Sequence, residues 1–172
     1  MKQLALIVIL AAVVACGKKT NPDQAAVDHY VNVELAPHMS EWLAGRRNFD
    51  HIKPDLVTDE TLRDHAHDML RDYSIPMIQA SYDAIGKLKP PEAMASLHGK
   101  LLEMQKSYLD AGAAMLPAIE ARDVEKYQAA HAKIMETVER ETWWNKNFDE
   151  MLANSDVKLA DFPPPPAKPP GK

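Results

Sequence analysis

Seven histidines, nine methionines and one cysteine are the residues of this 172-residue chain with the chemistry to hold a metal ion or a haem. His65 and His67 stand two apart in "HAHDM", and residues two apart on a helix point in different directions, so they do not share an ion. His131 falls on an apolar stripe of helical period, between Tyr127 and Ile134, with Met135 four positions on. Counted along antiparallel helices at about 1.5 Å per residue, Met39, Met69, Met104 and Met135 reach similar heights. A layer of thioethers is soft enough for Cu(I) and supplies axial haem ligands. Methionine is also the ordinary flexible filler of helical cores, and a hydrogen-bonded core histidine is the simpler reading of His131. The sequence contains no HExxH, no di-iron ExxH pair and no CxxCH. Its serines sit in no nucleophile elbow, it has no glycine-rich phosphate loop, and its acids follow the spacing of solvated helix faces. The chain therefore reads as no enzyme and as requiring no cofactor. His131, Met135 and Met39 are kept as the metal candidates of an alternative, a haem- or copper-binding bundle.

Trp143 and Trp144 are neighbours in sequence, and neighbours on a helix diverge by about 100°. One indole is expected to be partly exposed or at a helix seam, where exposed tryptophan is enriched at interfaces, the alternative being that both pack into a wide core edge. This pair marks the expected contact region for a protein partner. With 20 basic and 25 acidic residues, a net charge of −5 and no basic stripe, nucleic acid is not an expected partner.

The elements that carry these residues are helical. Glycine is sparse, at six residues, and β-branched runs are missing beyond the first fourteen positions. "NPDQ" opens a first helix with an Asn cap and Pro22 in its first turn, and Val27, Val31, Leu35, Met39 and Trp42 form its face to about Arg46. Thr58-Asp59-Glu60 starts a second, with a face of Leu62, Ala66, Met69, Tyr73, Met77, Ala84 and Leu88. Pro90-Pro91 stops it and opens a third, faced by Met94, Leu97, Leu101, Met104, Tyr108, Met115 and Ile119. Asp123 caps the fourth, faced by Tyr127, His131, Ile134, Val138, Phe148 and Leu152. Pro37, Pro76 and Pro117 lie inside helices, where each is expected to kink the chain. The expected fold is all-α, an antiparallel up-down-up-down four-helix bundle with kinked helices over residues 22–153. The Pro-rich stretch 154–172 is expected to be polyproline II or disordered.

The only cysteine follows a positive start and an apolar run too short to span a membrane. Val13-Val14-Ala15-Cys16 resembles a bacterial lipobox. That resemblance implies a signal peptide over residues 1–15, cleavage between Ala15 and Cys16, and diacylglycerol on the Cys16 sulfur. It implies an acylated linker over 16–21 and a protein anchored to a lipid bilayer through Cys16. Two or more acyl chains anchor stably, and a thioether leaves no free thiol in an oxidising compartment. Lipoproteins kept at the inner membrane commonly carry aspartate after the cysteine. Gly17, Lys18 and Lys19 here imply the outer membrane, on its periplasmic or surface face.

The stretch "PPEAMASLHGKLLEMQKSYLDAGAAMLPAIEARDVEKYQAAHAKI" resembles the second half of small periplasmic haem-binding four-helix bundles. It shares a Pro-rich turn, a long helix, an acid-capped turn and an alanine-rich last helix, over less than half the chain. That family takes a methionine early in the first helix and a histidine late in the last. Met39 lies near the end of the first helix here and His131 near the start of the last, so both depart from the pattern. The expected function is a non-catalytic binding or scaffolding module of the cell envelope.

Overall fold

Backbone polar groups in this sequence are satisfied within helices. A computed structural model describes residues 22–52 and 57–164, and among them it shows four long helices and no strand. We label these α1 (residues 22–47), α2 (residues 60–85), α3 (Ala95–Glu120) and α4 (Val124–Asn154). Asp59 caps α2 by accepting from the Leu62 N–H at 3.0 Å, and Asp123 caps α4 by accepting from Lys126 N–H at 3.0 Å. A 3-10 turn, Glu92–Met94, follows Pro91 and leads into α3.

The prolines expected as kinks in α1 and α2 are met by local widening. Proline lacks an N–H and its ring clashes with the carbonyl four residues back. Ahead of Pro37 the chain is π-helical over Tyr30–Leu35, and ahead of Pro76 over Leu70–Ser74. Ala36 N–H bonds to Val31 O and Ile75 N–H to Leu70 O, each reaching five residues back. Pro117 lies in the last turn of α3, with its neighbours in α-helical conformation.

Cross-helix contacts run in opposite order along each neighbouring pair. Asn48 Nδ2 donates to Ser74 Oγ at 3.0 Å, and Ser81 Oγ donates to the His38 carbonyl at 2.9 Å, so α2 ascends as α1 descends. Gln105 Nε2 donates to Ser81 Oγ at 2.9 Å, while Gly112 sits against Ile75. The Trp144 N–H donates to the Leu97 carbonyl, near the start of α3, at 2.8 Å. Gln24 Nε2 donates to the Asp156 carbonyl at 3.0 Å, joining the start of α1 to the end of α4. The helices are therefore antiparallel, up-down-up-down. α4 packs chiefly on α3, and α1 on α2.

The core is one cluster built on Tyr30, Leu70, Ile78, Leu101, Tyr108, Met115 and Tyr127, among others. Faces expected for α1 and α3 are buried throughout. On α2 the expected face holds at Ala66 and Met77, which are buried, and is displaced elsewhere. Leu62 is exposed and Met69 and Tyr73 are half-buried, whereas Leu70, Ser74, Ile78, Ser81 and Ile85 point inward. On α4, Ala130 and Thr137 are buried and His131 is only half-buried, so His131 is not the core residue its spacing implied. The methionine layer does not form either, because Met135 is exposed.

The tail expected to be disordered from residue 154 is laid on the bundle as far as it is described. α4 ends in a left-handed residue, Asp156 (φ 51°). Val157 N–H bonds to Leu152 O at 3.0 Å and Asp156 N–H to Ala153 O at 3.2 Å, the pairing that closes a Schellman cap. The chain then crosses α1. Asn32 Nδ2 donates to the Lys158 carbonyl at 2.9 Å, and Ala160 N–H donates to Asn32 Oδ1 at 2.8 Å. Phe162 packs against the core.

Candidate functional site

The 100° divergence of adjacent helical residues splits the tryptophan pair. Trp144 is 4 % exposed; besides its bond to Leu97, its ring stacks on Phe148 at 4.6 Å and 14°. Trp143 is 48 % exposed. It overlooks a hollow of about 600 Å³ between α3 and α4, floored by Met104 and walled by Lys100, Glu103, Glu136, Glu139 and Arg140. Lys100 and Glu103 pair with each other at 2.7 Å. Among the described residues Glu136, Glu139 and Arg140 make no ion pair. Glu136 and Glu139 also border a shallower hollow that reaches His131 and Met135. One face of α4 thus offers a flat aromatic, an exposed thioether and unpaired charges of both signs, which suits non-covalent contact.

The metal candidates are not brought together. His131 stacks on Tyr127, with ring centroids 6.2 Å apart and an interplanar angle of 21°. Met135 is 55 % exposed one turn further along α4. Met39 is buried on α1, opposite the part of α4 near Asn145, which is about 20 Å along the helix from His131. Among the described residues no three His, Cys, Asp or Glu side chains converge as a metal site. Ala15 and Cys16 lie outside the described residues. No described helix is long and apolar enough to cross a membrane.

One pairing escaped the sequence reading. Arg46 and Glu141 join α1 to α4, with Nε to the two carboxylate oxygens at 3.1 and 3.0 Å and Nη2 to Oε2 at 2.8 Å. The signal was present, because Glu141 continues the stripe Ile134, Thr137, Trp144 and Phe148, and a carboxylate on an apolar stripe needs a partner. Behind the pair stands Tyr108, fully buried, in edge contact with Trp42 and Phe49 at 5.1 and 5.3 Å. Burial first, and the Glu141 carboxylate second, push the Tyr108 hydroxyl above its ordinary range. Tyr30 is raised in the same way, by burial and then by Glu34. Its hydroxyl lies 2.6 Å from His98 Nδ1. Burial lowers His98, so a neutral ring that accepts from Tyr30 at Nδ1 carries its own proton on Nε2.

Comparison of the chain with protein-family models, with curated proteins and with solved structures finds no match.

Proposed function

We propose that this chain is a lipoprotein of the bacterial cell envelope, held at the outer membrane by acyl chains on Cys16. Its helical bundle is a non-catalytic binding or scaffolding module for another envelope protein. The sequence Val13-Val14-Ala15-Cys16 and the residues around it support the anchor. The observation that carries the binding role is Trp143, half exposed on α4 beside Arg140, Glu136 and Glu139. A side chain that exposes so much apolar surface among unpaired charges has the make-up of an interface centre with a polar rim.

Two measurements test the two halves. Labelled palmitate marks the wild type and not Cys16→Ser, and the variant moves from the membrane to the soluble fraction with its helical circular dichroism intact. Equal membrane recovery of the two proteins ends the lipoprotein reading. A photo-crosslinking residue at position 143 gives a discrete adduct in cells, and the same residue at position 125, exposed in the first turn of α4, gives none. Identical adduct patterns at both positions would falsify Trp143 as the contact.

A further inference from the structure

The hollow under Trp143 has the chemistry of a groove for a proline-rich segment that carries a lysine. Such segments dock on exposed aromatic rings, and Trp143 offers one at 48 % exposure. The hollow measures about 600 Å³, where a cavity of about 150 Å³ takes one six-membered ring, so two proline rings and a lysine stem fit. Lys100 and Glu103 cancel each other at 2.7 Å. That leaves Glu136, Glu139 and Arg140 at the rim, two carboxylates against one guanidinium, with one negative charge in surplus.

The chain itself carries such a segment. Residues 165–172 read PPAKPPGK, with two lysines and no acid. Polyproline II repeats every three residues, so in that conformation Pro166 and Pro169 share one edge and Lys168 stands on the next. We infer that the hollow between α3 and α4 takes residues 165–172 of a second copy of this chain. The edge of Pro166 and Pro169 lies on the Trp143 indole, and the Lys168 ammonium pairs with Glu136 and Glu139. The same chain's segment falls short of this. Pro163 and Pro164 lie over Ser40, Ala44 and Arg47 of α1. An extended chain spans at most about 3.6 Å per residue, so Pro166 reaches no more than about 7 Å past Pro164. One way round the bundle the whole of α4 intervenes, and the other way α2 and α3 do. A single helix with its side chains is about 10–12 Å across. The contact joins different surfaces of two copies, so it propagates head to tail. The inference rests on the reading of Trp143 as a contact and names its occupant.

A photo-crosslinking residue at position 167 of one copy, expressed with a second copy tagged after Lys172, tests this in cells. The expected adduct has the mass of two chains, carries the tag, and maps to the surroundings of Trp143 on the tagged copy. Trp143→Ala in the tagged copy lowers its yield about fivefold or more, and so does Glu136→Lys with Glu139→Lys. The same substitutions in the probe copy leave the yield unchanged, because hollow and segment act from different molecules. All three side chains are exposed, so the variants keep the helical circular dichroism of the parent. Lys168→Glu in the probe copy also lowers the yield, and the tagged copy with lysine at 136 and 139 restores it. Equal yield with Trp143→Ala in the tagged copy overturns the inference, as does a crosslink from position 167 confined to its own chain. A discrete adduct from position 143 to a different protein, with none between copies, overturns it and leaves Trp143 standing as a contact. No discrete adduct from either position ends both readings.

Discussion

Glu141 occupies a position of α4 that helical periodicity reserves for an apolar side chain, and it is tolerated there because Arg46 meets it with a two-pronged hydrogen bond. With 23 % and 13 % of the two side chains exposed, the pair lies between the surface and buried regimes. Removing one partner then strands a charge that is costly to leave alone. Glu141→Gln is expected to lower stability by about 2 kcal/mol, and Arg46→Met with Glu141→Leu to recover most of that. Urea midpoints of the three proteins decide it, and equal midpoints for Glu141→Gln and wild type would show the pair to be ornamental. His98 gives a pH signature. Burial holds it below its ordinary value of 6.5, so below that value the unfolded chain takes up a proton that the folded chain resists. Its stabilising contribution is therefore full above pH 6.5 and declines as the pH falls through the folded value. His98→Gln is expected to flatten the loss of stability between pH 7 and pH 5. An identical slope in the two proteins would place the acid sensitivity elsewhere.

The elements explain which parts of the fold were legible. Asp123 could be read as a cap because an acid before an apolar helical run satisfies orphan N–H groups, and the start read at Thr58-Asp59-Glu60 proves to be capped by Asp59. The α3 face was legible because it keeps α-helical spacing. Val27, Val31, Leu35 and Met39 advance by strict fours, which in an α-helix drift by about 40° per step. The π segment Tyr30–Leu35 takes up that drift, so the strict fours were themselves a sign of the widened turn. On α2 the same device, Leu70–Ser74, aligns Ala66, Leu70, Ser74 and Ile78. Serines at 74 and 81 hid this line, since polar side chains do not mark a core stripe. They are there because α1 and α2 approach closely. A Cβ added at Gly45 would lie 2.8 Å from both the Ser74 carbonyl oxygen and Ile78 Cγ1. Gly45→Ala is expected to cost about 1–3 kcal/mol through overpacking. Gly99→Ala, with nothing within 4 Å of the new carbon, is expected to gain up to about 1 kcal/mol from helix propensity. Thermal melts separate them, and a Gly45→Ala protein as stable as wild type would mean that the two helices slide apart freely.

At the scale of the molecule, α4 is the element with the narrowest support. It packs along α3, and α1 reaches it mainly through long side chains such as Arg46 and through the chain that follows it. Composition hid that last contribution. A proline-rich segment without apolar periodicity cannot order itself, yet here the bundle orders it from outside. The Asn32 side chain acts as a short piece of strand edge, accepting from one backbone N–H and donating to one carbonyl. It reads the tail by its backbone, so residue type along 158–160 left no trace in the sequence. Val157 closes the end of α4 and Phe162 adds apolar contact. Truncation after Val157 keeps the helix cap and removes only the strap, which isolates its contribution. Two hydrogen bonds and a partly buried aromatic amount to about 1–2 kcal/mol, or a fall of about 3–6 °C in melting temperature for a chain of this size. Asn32→Ala is expected to give a smaller fall, and combining it with the truncation to add nothing, because both remove the same contact. Additive losses, or an unchanged melting temperature on truncation, would show that the tail rests on α1 without holding it.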